Sequence, residues 1–234
     1  MLNPLMAITL AMMCGLALFA VLSVPPIGPL AAIVLMPLLI AGYMRVCRAL
    51  EEEEAIEPGQ LLEGFRKQGG RLAALGGFGI MGLFGASAVM VSTGGKALAA
   101  VLEKFHSANP QVLLDAMWSA GPDVSFSLML GFALLCILML ALQYAPMLVL
   151  FNAVTPLAAM RASLYGSLRN LIPYTVYTLI MQMIALVLGF LPFNIGLVVL
   201  LPLGLTSLYV SYRNIFPFAH ELAALEPVSH NPEA

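Results

Sequence analysis

Six runs of apolar residues, separated by short polar or proline-rich stretches, organise this chain. They cover residues of about 4–23, 29–48, 72–93, 124–150, 171–190 and 194–213. Each holds roughly 20 residues, the length of a helix that crosses the hydrocarbon core of a bilayer. PPIGP joins the first run to the second and LPFN joins the fifth to the sixth, so each pair predicts a helical hairpin. The pattern predicts an all-α membrane protein, a polytopic bundle of about six transmembrane helices with short interfacial amphipathic helices. Residues 1–216 form a single integral membrane domain in this reading, and residues 217–234 form a short cytoplasmic tail.

The polar stretches between the runs have their own periodicity. RVCRALEEEEAIEPGQLLEGFRKQGGR, residues 45–71, carries 11 of the chain's 22 charged side chains, which marks it as the main water-facing connector. Its run Glu51 to Glu54 reads as a solvated helix end, because consecutive residues do not converge on one helix face as cation ligands would. Glu57-Pro58 marks a helix start. Leu61, Leu62 and Phe65 then give a short apolar face, which predicts a surface helix with Arg66 and Lys67 near lipid phosphates. In TPLAAMRASLYGSLRNLIP, Leu157, Met160, Leu164, Leu168 and Leu171 recur at helical spacing, and Arg161, Tyr165 and Arg169 edge that stripe. This pattern predicts an interfacial helix whose guanidinium groups reach headgroups. Between the third and fourth runs, KALAAVLEKFHSANPQVLLDAMWSAGPD divides at Asn109-Pro110 into two short helical pieces. Leu98, Val101, Leu102 and Phe105 form the apolar face of the first, and Trp118 is placed at the lipid–water boundary.

Composition strengthens this picture. The chain is 61% hydrophobic and 9% charged, where a soluble domain has about a quarter of its residues charged. A net charge of −2 gives no basic surface for nucleic acid. Basic residues are unevenly divided. Arg45, Arg48, Arg66, Lys67, Arg71, Arg161, Arg169 and Arg213 fall on one side of the six-span topology, and Lys96 and Lys104 on the other. The bias places both termini in the cytoplasm of a multi-pass inner-membrane protein. No Lys or Arg precedes Arg45, so the first run is expected to stay in place as a helix rather than act as a cleaved signal.

Candidate chemistry is sparse. The inner parts of the six runs contain no Asp, Glu, Lys, Arg or His, which argues against transport coupled to a carboxylate relay. His106, His220 and His230 lie far apart outside the runs, and Cys14, Cys47 and Cys136 read as packed free thiols. With no H-E-x-x-H, G-x-S-x-G or P-loop pattern, no enzyme, cofactor or metal is expected. Gly76, Gly79, Gly82 and Gly85, with Ala86, read as a surface for close helix packing. Pro37 and Pro202 lie inside their runs, and each precedes an arginine by eleven residues, which suggests that the first and last hairpins are related copies. Matching broken helices can also mark a transport site.

The runs TSLYVSYRNIF, PPIGPLAAIVLMPLLIAGYMRVCRAL, EPGQLLEGFR and RASLYGSLRNLIPYTVY resemble a family of uncharacterised bacterial inner-membrane proteins with about six helices, classed as a domain of unknown function. The resemblance covers most of residues 25–216. Its most specific part is the ending Tyr209, Tyr212, Arg213, Asn214, Ile215, Phe216. The family often has Asp where Asn214 stands here, and a less acidic stretch than Glu51–Glu54. More distantly, the chain resembles the membrane domain fused to some glycerophosphodiester phosphodiesterases, a resemblance that implies lipid handling. The expectation is a non-enzymatic inner-membrane protein that contacts lipids or binds a membrane partner, which includes a second copy of itself. Arg66, Lys67, Arg161, Arg169 and Arg213 are its expected headgroup contacts. The alternative is a channel or uncoupled transporter for a small solute or lipid.

Overall fold

The structure, a computed structural model, describes residues 4–104, 110–119, 121–190 and 195–217. All its described elements are helices: α1 (Pro4–Leu22), α2 (Gly28–Glu51), α3 (Pro58–Leu61), α4 (Glu63–Lys104), α5 (Pro110–Ser119), α6 (Gly121–Gln143), α7 (Ala145–Asn152), α8 (Pro156–Arg169), α9 (Leu171–Gly189) and α10 (Ile195–Ile215). Phe105, His106, Asn109, the LPFN turn and the tail with His220 and His230 lie outside the described residues.

Five stretches are long and apolar enough to cross a membrane: Leu5–Leu22, Gly28–Glu51, Pro58–Val101, Gly121–Asn152 and Leu171–Gly189. The sixth run forms α10, whose 21 residues extend about 31 Å, enough to cross the hydrocarbon core. The surface has the polarity of a protein dissolved in lipid. Ile172 is 81% exposed, Phe190 83% and Phe132 70%, and such side chains occur all round the bundle. Water would penalise this surface, whereas a bilayer does not.

One core runs through the bundle. It is built on α2, which buries Ala41, Tyr43, Met44 and Val46, and it draws in Leu72 and Leu75 of α4, Met147 and Val149 of α7, and Tyr209 and Tyr212 of α10. A separate small cluster of Leu98, Val101 and Val124 closes the opposite end, where α4 meets α6. The glycine stripe of α4 does pack as expected over most of its length. A Cβ on Gly76 would meet the Ile33 carbonyl oxygen of α2 at 2.9 Å, and one on Gly82 would meet Leu138 of α6 at 2.6 Å. Gly85 faces open space.

Two expectations change and one holds. The third run lies in α4 between two departures from helical geometry, at Gln68 and at Gly95. Gly95 has φ +52°, a conformation that costs a residue with a side chain far more than it costs glycine. Helical structure resumes beyond it, so the Lys96–Lys104 piece is a separate helical segment set off by a kink, as expected. The fourth run does not reach residue 150 as one helix. It breaks at Tyr144, because Pro146 has no N–H to donate and its ring crowds the preceding turn, and residues 145–152 form the separate helix α7. The predicted surface helix after Glu57-Pro58 is not free on the membrane either. Leu61 is buried and its backbone lies against Gly42 of α2, while Gly64 lies against the Leu38 carbonyl. Only Leu62 and Phe65 remain exposed for lipid.

Candidate functional site

Residues with polar chemistry gather at one end of the bundle, where α2 and α10 terminate and α3, α7 and α8 form a layer of short elements. The layer is built around the helix break. At Tyr144 the backbone N–H can no longer bond the Leu140 carbonyl, its normal partner one turn back. The Ser163 hydroxyl of α8 enters the gap, accepting from the Tyr144 N–H at 3.1 Å and donating to the Leu140 oxygen at 2.7 Å. One hydroxyl thus partners two of the backbone groups that the break releases. Ser163 is fully buried, and α8 packs through the small residues Ala159, Ser163, Gly166 and Ser167. The predicted apolar stripe is divided: Leu157 and Leu168 are about half exposed and point to the surroundings, while Met160 packs against the core.

Aromatic residues extend the layer toward α10. Tyr144 shares a hydrogen bond with Ser211 at 2.6 Å, and Tyr212 donates to Asn152 at 3.1 Å. Phe216 stacks on Tyr212 and meets Tyr144 edge-on. Arg48 lies 5.3 Å from the centre of the Phe151 ring. Arg71 of α4 donates to the Ala153 carbonyl at 2.7 Å and pins the end of α7.

The acidic run is more than a solvated helix end. Glu51 accepts from Arg213 at 3.0 Å and from the Tyr209 hydroxyl, so it ties α2 to α10 across a sequence separation of 162 residues. Arg45 lies within 3.7 Å of Glu52, 3.5 Å of Glu54 and 3.4 Å of Glu63, and Arg48 bonds Glu52 at 2.8 Å. Among the described residues no group of three His, Cys, Asp or Glu side chains has the arrangement of metal ligands.

The expected headgroup residues divide accordingly. Arg213 has a protein partner in Glu51, and Lys67 has one in Glu63 at 2.9 Å. Arg66, Arg161 and Arg169 are exposed and make no hydrogen bond or ion pair within the described residues. Sequence reasoning missed Ser163, Tyr144 and the Glu51–Arg213 bridge. Pro146 was a visible signal for the helix break, but nothing in the chain marks Ser163 as the residue that repairs it.

Two hollows flank the last turns of α10. The first, of about 560 Å3, lies against α9 and is edged by Asn170, Tyr174, Tyr177, Ser207 and Asn214. Tyr177 and Ser207 share a hydrogen bond of 2.6 Å across it. The second, of about 610 Å3, lies between α2 and α10, beside Glu51 and Arg213.

Comparison with known proteins agrees with the membrane architecture. Over 192 residues the chain is 29% identical to a protein of Burkholderia thailandensis named a probable inner membrane protein, a match that covers 80% of this chain and 70% of that relative. The chain is a polytopic membrane protein. No family model matches it, and no solved structure does.

Proposed function

We propose that the protein is a non-enzymatic component of the bacterial inner membrane that holds anionic lipid headgroups on α8, with both termini in the cytoplasm. The observation that carries the reading is the outward face of α8. Arg161 and Arg169 stand exposed without a protein partner among the described residues, next to the exposed Leu157 and Leu168. Apolar side chains at the edge of the hydrocarbon with guanidinium groups reaching outward match the requirements of an interfacial helix. The excess of basic residues on this side of the predicted topology supports the orientation.

Native mass spectrometry of the purified chain with phosphatidylglycerol tests the proposal. Each basic residue near a charged surface contributes about 1 kcal/mol, so replacing Arg161 and Arg169 together by Gln should cost about 2 kcal/mol. That corresponds to a fall in retention of more than about tenfold. The same change at Lys96 and Lys104 should have a smaller effect. Equal retention by the wild type and the Arg161→Gln, Arg169→Gln double variant would reject the reading. The alternative of an uncoupled channel or transporter draws support from the hydroxyl and amide groups of Tyr174, Tyr177, Ser207 and Asn214 around the hollow between α9 and α10. Solute flux through liposomes that contain the protein, above that of empty liposomes, would favour it.

A further inference from the structure

The seam between α2 and α10 has a polarity gradient that nothing in the α8 reading uses. At its mouth are Glu51, Arg213 and Asn214. Leu50 adjoins Glu51, Tyr209 and Val210 come about one turn deeper on α10, and the hollow reaches Cys47 and Thr206. The hollow is therefore charged at its mouth and less polar at its inner end.

We propose that the hollow at this seam binds the zwitterionic phosphoethanolamine headgroup of one phospholipid, whose acyl chains pass into the surrounding lipid. The inference rests on the lipid-contacting reading and extends it to a second site with a different charge preference. The argument is charge complementarity. Glu51 and Arg213 already face each other at 3.0 Å at the edge of the hollow, and the Arg213 side chain is 15% exposed, that of Glu51 42%. A headgroup that carries both signs gives Glu51 an ammonium and Arg213 a phosphate, so each charge exchanges one partner for another of the same sign. The Asn214 amide, on the same rim, is a further donor for phosphate oxygens. An anionic headgroup such as phosphoglycerol satisfies Arg213 but leaves Glu51 facing a like charge. The C-terminal ends of α2 and α10 both reach this mouth, and their carbonyl groups favour a cation there. Arg161 and Arg169 on α8 have no ion-pair partner among the described residues, so they favour an anionic headgroup.

The full chain in detergent, offered phosphatidylethanolamine and phosphatidylglycerol in equal amounts and read by native mass spectrometry, tests the site. Wild type should retain phosphatidylethanolamine. Glu51→Gln keeps an acceptor for Tyr209 and Arg213 but removes the charge, and should lower that retention about tenfold, as expected for a loss of about 1.4 kcal/mol. Leu50→Trp fills the hollow while keeping both charges, and should lower retention similarly; the melting temperature is read alongside, because Leu50 also packs against the core. It decides the question even where Glu51→Gln fails to fold. Arg161→Gln with Arg169→Gln should reduce phosphatidylglycerol alone, so failure of the α8 reading and failure of the seam are read from different lipids. Wild-type retention of phosphatidylethanolamine by Leu50→Trp, or none by the wild type itself, would overturn the proposal.

Discussion

The first and last hairpins begin from the same plan: an apolar helix, a proline-containing turn, and a second helix with an internal proline eleven residues before an arginine. The structure uses them differently. Half of α2 is buried and it forms the centre of the core, whereas no residue of α9 is buried and its main neighbour is α10. Both are apolar enough to span a membrane, so hydrophobicity does not separate them. Small residues do. In α2, Ala41 and Gly42 let α3 and the start of α4 approach to backbone contact. In α9, LIPYTVYTLIMQMIALVLG offers large side chains on nearly every face, with Gly189 at the end facing open space. Lipid tails are as apolar as leucine, so helices in a bilayer associate by close fit rather than by escape from solvent.

The comparison breaks most sharply at Gly42. A Cβ there would collide with the Leu61 carbonyl oxygen, and backbone cannot rotate away as a side chain can. Gly42→Ala should destabilise the protein by about 3 kcal/mol, at the upper end of overpacking costs, measured by thermal unfolding in detergent. No loss of melting temperature would show that α2 is not the anchored partner. Ser163→Ala comes next. It leaves the Tyr144 N–H and the Leu140 carbonyl without the hydroxyl that joins them, a cost of about 2 kcal/mol for buried polar groups. Faster hydrogen exchange confined to residues near Tyr144 is the signature to look for. Protection equal to wild type would mean that the break closes without Ser163.

The α9–α10 hairpin should respond weakly, and in one case with the opposite sign. Tyr177→Phe removes the 2.6 Å bond to Ser207, a loss of about 1 kcal/mol. In contrast to Gly42, a Cβ on Gly204 meets nothing within 4 Å. Gly204→Ala should therefore raise stability by about 0.5–1 kcal/mol through helix propensity alone. A large loss at Gly204 would place an unseen partner against α10 and remove the contrast between the hairpins.

The sequence by itself determined the solvent and the segments. Apolar runs of about 20 residues cannot face water, and their backbones must bond internally, so an all-α bundle follows from hydropathy and length. The close-packing stripe of α4 was legible as well, because glycine spacing on a helix is a local property. The end of the fourth span was misread although Pro146 was in plain view, since continuous hydrophobicity hides a helix break. What only the tertiary structure decided is which residues meet: Ser163 with the ends of a broken turn, Glu51 with Arg213 across 162 residues, and the small face of α8 against the bundle while its leucines face outward. Each depends on which helix stands beside which. In a bilayer, hydropathy leaves that choice open, because every apolar face is equally content against lipid or protein, and shape and polar partners make the selection.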